Sequence, residues 1–364
     1  MASFRQISEH EGPETSSSSP CSPRETGTMT KMEELELKLT NLSIKSKSTQ
    51  EQKRKEGEET EVKTKPGLSK TYTPNQHESN PIGIHADVSI VIFDLETTGF
   101  GYDSDITQIA AIYEDQEYNQ YVLPKKEITA GASKVTKIIK HNGHLYYKGK
   151  PVESTDIATA LAQFINWLPN RCILVAHNGK SFDANILTHQ LLQFKDIFSR
   201  LDAKLVHFTD TLPLFRYLFP RRRHYNQESL VQDLIEEECT DGHNALVDVR
   251  MLKCLFDKYA TTHPLDSYSF DLKSVVKRLQ KKDHLNSLRP LLERNVITDY
   301  IAKKLADSGI SFDDLKLAHA RGGIDEVKNM LSAQTQEGKT RVTRDKQILT
   351  KIASFIDEVR SNDS

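Results

Sequence analysis

Hydrophobic spacing changes twice along this chain, and the changes divide it. From Ser89 the apolar runs SIVIF, ITQIAAIY and YNQYVLP are short and dense, which predicts three successive strands. Ile157, Leu161, Phe164, Ile165 and Leu168 then recur at helical spacing. CILVAHN reads as a buried strand, SFDANILTHQLLQF as a helix with Ser181 as N-cap, and KLVHFTD as another strand. Two helical patterns follow, and NALVDVRMLKCLFDKY closes the segment as a helix. Three strands in a row and then strand–helix alternation predict an α/β unit, a mixed sheet flanked by helices.

After about Thr262 the periodicity is helical alone, in DLKSVVKRLQ, SLRPLLERN, TDYIAKKLADSG and SFDDLKLAHARGG. Ser311 with Asp314 forms a capping-box pattern with Asp in place of Glu, and Gly309 suits the C-cap of the preceding helix. Ile348, Ile352, Phe355, Ile356 and Val359 mark a last amphipathic helix. Before residue 80 the pattern disappears into stretches such as ETSSSSPCSPRETG, which bury too little apolar surface to offset chain entropy. One island there, MEELELKLTNLSI, spaces Leu35, Leu39 and Leu42 as a short partner-binding helix. The expected division is a disordered arm over 1–80, an α/β domain over 86–262, a small all-α domain over 265–335, and a linker, amphipathic helix and tail over 336–364.

Composition fits that division: 27% charged and 37% hydrophobic residues describe a folded core carrying disordered chain. A net charge of −2 leaves any nucleic-acid affinity to local basic patches. Cys21, Cys172, Cys239 and Cys254 show neither zinc nor redox spacing, so they read as reduced thiols of an intracellular protein. The N-terminal MASFRQISEHEG has no apolar core for a secretory signal, and no run reaches membrane-spanning length. The expectation is an intracellular protein of nucleus and/or cytoplasm, without a membrane.

The chemistry begins at SIVIFDLETTGF, where Asp94 and Glu96 follow a core strand two residues apart and so share a face. Clustered carboxylates repel, and their desolvation is costly unless a cation lies between them. LVAHNGKSFDANIL places Asp183 in the first turn of a helix after a buried strand; DGHNALVDVRML places a turn at Asp241-Gly242, His243 just before a helix, and Asp248 early in it. At strand ends and helix starts of a mixed sheet these acids can converge as an oxygen-rich site for two Mg²⁺ or Mn²⁺ ions. Taken singly, each has a plain structural explanation, such as the helix dipole for Asp183; their order and context together favour the metal site.

DLETTG, AHNGKSFD and HNALVD resemble, in order, the three motifs of the DnaQ-like exonucleases, in particular the DEDDh subgroup with its RNase H-like fold. The likeness spans about residues 88–260 and implies a metal-dependent 3′→5′ exonuclease that releases nucleoside 5′-monophosphates from DNA or RNA 3′ ends by a two-metal mechanism. It implies Asp94, Glu96, Asp183 and Asp248 as metal ligands, with Asp94 bridging, and His243 as general base. Leu95 and Thr97 would face the terminal nucleotide, with His177 and Asn178 bordering the same cleft. Gln108 stands where the family often has Glu; it is not a ligand position, so little consequence is expected. Two basic runs, around Arg216 and Arg221–Arg223 and around Lys134, Lys137 and Lys140, are candidates for phosphate contact or plain solvated faces. The C-terminal YSF…SLRPLL…LADSGISFDDLKLAHARGG resembles the segment after the exonuclease-like domain of promyelocytic leukaemia proteins, a pairing expected of a PML-like exonuclease in fish. Relatives of that type can lose the acidic motifs, so the competing reading is a catalytically weak or inactive nucleic-acid-binding scaffold working through protein partners at the arm and C-terminal helices. The intact acids favour the enzyme.

Overall fold

The computed structural model describes residues 88–235 and 242–362. The expected disordered arm, its leucine island, Cys21, Cys239 and Asp241 of the expected turn lie outside that range. Strands β1 (Ser89–Thr97), β2 (Ile106–Tyr113) and β3 (Gln116–Val122) are the three expected in succession. Then come α1 (Ala130–Thr136), β4 (Ile138–His141), β5 (His144–Tyr147), β6 (Lys150–Val152), β7 (Ser154–Thr155) and α2 (Ile157–Trp167). The α/β alternation follows as β8 (Cys172–Ala176), α3 (Asp183–Leu191), α4 (Lys195–Lys204), β9 (Leu205–Asp210), α5 (Thr211–Leu218), α6 (Gln227–Ile235) and α7 (Ala245–Tyr259). A short β10 (Ser269–Phe270) leads to α8 (Leu272–Ser287), α9 (Arg289–Glu293), α10 (Asp299–Asp307), α11 (Phe312–Ser332) and α12 (Lys346–Asn362).

The main sheet has the order β10-β9-β8-β1-β2-β3-β7. β1 runs antiparallel to β2 and parallel to β8, and β8 runs parallel to β9. This is the mixed, helix-flanked sheet of the RNase H-like expectation. The side-chain period of two divides β1 between two cores. Val91, Phe93 and Leu95 join the cluster under α2, α3 and α8, while Ile92 joins the cluster under α5, α6 and α7. Asp94 and Glu96 continue the face of Ile92, so the two acids lie on the α7 side of the sheet.

The basic run at Lys134–Lys150, read only as a charge pattern, folds as α1 and a separate three-stranded meander, β4-β5-β6. Its turns fall at Asn142-Gly143 and Lys148-Gly149, where all four residues have positive φ, as two-residue hairpin turns that match strand twist require. The Asn-Gly pair was the signal for it.

Leu272, Val275 and Leu279 of α8 pack into the first core against α3, whereas residues from Leu288 onward build a separate helical core around Leu305, Leu315, Ile352 and Ile356. That region follows its local signals. The Ser311 hydroxyl accepts from the Asp314 N–H at 3.1 Å while the Asp314 carboxylate accepts from the Ser311 N–H at 2.8 Å, completing the capping box. Gly309 has φ +66° beyond α10, and Ile310 N–H donates to the Leu305 carbonyl at 3.0 Å. Helix α11 breaks at Gly322-Gly323, where Gly323 takes φ +64° and ψ −149°. No helix among the described residues is long and apolar enough to cross a membrane.

Candidate metal and catalytic cleft

Three distant segments deliver carboxylates to one end of β1. Asp94 and Glu96 come from its last turns of pleat, and Asp248 from the first turn of α7, which Asn244 caps by accepting the Leu246 N–H at 3.2 Å. One carboxylate oxygen from each of Asp94, Glu96 and Asp248 lies within 4.8 Å of the others. Asp183, first residue of α3, approaches from the other side of the strand, and its Oδ1 accepts the Leu95 N–H at 3.2 Å. Its charge reaches Asp94, Glu96 and Asp248, so all four acids share one field.

Helix α3 does not start as its sequence suggested. Ser181 is not the N-cap; Phe182 holds that position without a side-chain cap bond. A turn takes up the preceding residues: Ser181 and Phe182 N–H groups both donate to the Asn178 carbonyl, at 3.0 and 3.2 Å, and Asn178 sits at φ +61°. A Cβ on Gly179 would lie 2.8 Å from the Ala176 Cβ, so the turn packs against β8 only with glycine there. Asn185 secures it by donating to the Lys180 and Ser181 carbonyls at 3.0 and 2.9 Å.

Burial first, then the neighbouring carboxylates, pushes Asp94 and Glu96 well above the ordinary carboxyl range. Burial is also the main cause for Asp183 and Asp248, each raised to about 7. Four crowded acids with oxygen donors only, three of them buried, match what a hard divalent cation requires and what an empty apolar core rejects.

The cleft over these acids has a volume of about 380 Å³ and includes every residue singled out from the motifs. His243 stands at its rim, exposed, with φ +67°; its N–H donates to Asp248 Oδ2 at 3.1 Å. The main chain is thus pinned while the imidazole projects freely. Leu95 is buried in the core, and the Thr97 hydroxyl donates to the Gly99 carbonyl at 2.7 Å. His177 has both ring nitrogens engaged, Nε2 with the Tyr225 carbonyl at 2.6 Å and Nδ1 with Thr211 Oγ1 at 3.0 Å. A carbonyl only accepts, so Nε2 carries the proton. Burial holds this imidazole below its ordinary pKa. His177 therefore offers the cleft a ring face, while the exposed Asn178 keeps its amide free of these bonds.

Several residues of the site escaped the motif reading. Glu228 in the first turn of α6 raises the pKa of Asp248, and its carboxylate lies where any Cβ on Gly242 would fall, at 1.8 Å. Gln108 pairs with Glu96 across β1 and β2 and is fully buried. Its Oε1 accepts the Ala245 N–H at 3.2 Å and its Nε2 donates to Asn119 Oδ1 at 2.9 Å. An amide meets both demands without adding another buried acid beside the four; a carboxylate meets one. Asp210 accepts N–H bonds from Asn178, Lys180 and Leu212 at 2.9, 3.1 and 2.9 Å, tying the Asp183 loop to α5. Phe100, 82% exposed, and Val135 form an apolar lip on the cleft. In the basic runs, Arg222 is ion-paired with Asp233, and Lys140 with Glu127 at 3.4 Å, so these two charges are partly neutralised. A larger groove of about 730 Å³ beside α12 has a single acid, Glu358, and no comparable chemistry.

Residues 91–256 match the family model described as exonuclease, and residues 284–358 match that of the PML C-terminal domain. The chain is similar to the DNA polymerase III epsilon subunit of Buchnera aphidicola subsp. Acyrthosiphon pisum, 26% identical over 238 residues that cover 60% of this chain and 94% of that one. The epsilon subunit from Buchnera aphidicola subsp. Baizongia pistaciae is 24% identical over 212 residues, covering 55% and 82%. Among solved structures, zinc-bound Escherichia coli ExoI in complex with single-stranded DNA aligns with a TM-score of 0.42 at 15% identity, covering 61% of this chain and 50% of that one.

Proposed function

We propose that this chain is a DnaQ-like, divalent-metal-dependent 3′→5′ exonuclease, a reading supported by the match of residues 91–256 to the exonuclease family model and by the likeness to DNA polymerase III epsilon subunits. The substrate is the 3′ end of a DNA or RNA strand, and the product a nucleoside 5′-monophosphate. The observation that carries this reading is the meeting of four acids from three segments beside His243.

Asp94, Glu96 and Asp248 would hold two Mg²⁺ or Mn²⁺ ions together with Asp183. When bound, the cations supply Lewis-acid charge at the phosphoryl oxygens and lower the pKa of nearby water. His243 then takes the proton from the attacking water, which needs a neutral imidazole able to move to its substrate. Its exposed rim position, with the backbone N–H anchored on Asp248, suits that task. Water attacks phosphorus, the bond to the 3′ oxygen of the penultimate nucleotide breaks, and that oxygen leaves as a hydroxyl by taking a proton from solvent, to which His243 later returns its own. The Leu95 amide orients Asp183, and Leu95 and Thr97 border the terminal nucleotide. Phe100 supplies an apolar face on which its base stacks, and the His177 ring and Asn178 amide line the opposite wall. Residues 284–358 contribute no carboxylate cluster among the described residues, and we assign them to protein partners in the nucleus or cytoplasm.

The test is end-labelled single- and double-stranded DNA and RNA incubated with the protein, with and without Mg²⁺. Stepwise shortening from the 3′ end only with metal, lost in Asp94→Asn, is the expected result. Metal-independent cleavage, or equal cleavage by Asp94→Asn, refutes the assignment. Binding without any cleavage by the wild type supports the scaffold reading instead.

A further inference from the structure

Helix α8 lies beyond the segment matched as exonuclease, yet it packs against α3, the helix that begins with Asp183. Its sequence LKSVVKRLQKKDHLNS carries five cations and one acid, against a net charge of −2 for the whole chain. The cations fall in two adjacent rows at four-residue spacing, Lys273, Lys277 and Lys281 in one and Arg278 and Lys282 in the next. Lys281 is ion-paired with Asp307, and Asp283 is engaged by the Tyr102 hydroxyl at 2.6 Å. Lys273, Lys277, Arg278 and Lys282 form no ion pair among the described residues, although the Asp271 charge acts on Arg278.

Three cations are held in place by aromatic rings. Arg278 and Lys180 both lie over Phe270, at 5.3 and 5.8 Å from the ring centroid, and Lys282 lies over Tyr102 at 5.0 Å. Arg278 also donates to the Lys180 carbonyl at 3.4 Å, in the loop that leads to Asp183, and to Asn185 Oδ1 at 3.3 Å in the first turn of α3. Its buried Nε has no partner among the described residues. Burial, then the charge of Arg278, holds the Lys282 ammonium below its ordinary value. Like charges gathered at half-buried positions repel, and a fold retains them where an anion offsets the cost.

We propose that this face of α8, with Lys180 beside it, is the track for the phosphodiester backbone of the nucleic-acid strand whose 3′ end occupies the cleft. The track rests on the exonuclease reading for its direction and extends it: the acidic cleft repels phosphates, so affinity for a long strand must come from cations outside it. The Lys180–Asp183 loop joins the two surfaces, since it contacts Arg278 on one side and carries Phe182 and Asp183 of the cleft on the other.

The experiment uses the full chain with Lys180→Gln, Lys277→Gln and Lys282→Gln combined, and a second variant, Lys273→Gln with Lys277→Gln, confined to exposed positions. Binding is measured on an Asp94→Asn background, as a function of salt, for a dinucleotide and for a single strand of about 20 nucleotides. The triple variant should lose about tenfold more affinity for the long strand than for the dinucleotide, and its slope of log K against log salt should flatten by about two, at about 0.7 per phosphate contact. The double variant should show the same pattern at smaller size. Equal losses on both lengths, or an unchanged salt slope, overturn the track while leaving cleavage by the cleft intact. A wild type that binds long strands through these lysines but hydrolyses none sinks the exonuclease reading and leaves the track standing.

Discussion

The end of β1 and the helical region from Leu288 to Val359 follow opposite rules. In the helical region local signals and packing agree: a capping box at Ser311, a glycine C-cap at Gly309, and leucines and isoleucines closing an apolar core. At the end of β1 they conflict. A core strand ends in acids, and His243 takes left-handed backbone, which costs roughly 1–3 kcal/mol. Departures from local consistency concentrate where a ligand offsets them. One region is built to stay folded, the other to hold something.

The largest expected effect breaks the acidic side of that contrast. Asp94→Asn should lower kcat by about 10⁴-fold, the several kcal/mol that metal ions supply, and should not lower the metal-free melting temperature because it removes repulsion. Single-turnover kinetics and thermal melts in a chelator check both halves. His243→Ala should cost about 10³-fold in kcat with the fold intact, and full activity in that variant removes its role as base. In the helical region the corresponding change is Leu305→Ala, fully buried, which should cost about 3 kcal/mol in denaturant unfolding and nothing in hydrolysis of a short strand.

The pH dependence sharpens the comparison. Asp183 and Asp248 are raised from 3.8 to about 7 in the folded, metal-free protein, so between those values the native state binds more protons than the unfolded chain. The stability they contribute is complete below about pH 4 and is lost as pH rises through about 7. A divalent cation restores it, so the stabilisation on adding Mg²⁺ should be larger by about 3 kcal/mol or more at about pH 8 than at about pH 5. Melts with and without Mg²⁺ measure it; an increment independent of pH removes the coupling. The smallest effect belongs to the helical region, where Ser311→Ala should cost about 1 kcal/mol through the lost cap and leave this metal increment untouched.

Much of the α/β unit is legible along the chain because its strands are short apolar runs and its helices carry regular stripes. The meander at β4-β5-β6 was obscured by its lysines, although Asn142-Gly143 marked the turn. Ser181 misled because a residue suited to capping lies one place before the true boundary, where the turn at Asn178 had already taken the backbone. At the site, the motif acids are visible as types in order. Glu228, Asp210 and Phe100 belong to no spacing rule, and only their neighbours across long separations give them a part.

From the amino-acid order alone came the two regimes of periodicity, the face shared by Asp94 and Glu96, and the likeness of three motifs to one enzyme family; all are properties of neighbouring positions. Only the folded chain decided that Asp183 reaches over the strand to the Leu95 amide and that Asp248 comes within 4.8 Å of the other two acids. It also decided that a basic helix outside the motifs lies against the loop that carries Asp183. Electrostatic and hydrogen-bond energies depend on distance through space, and the packing of helices on a sheet sets that distance for residues far apart in sequence.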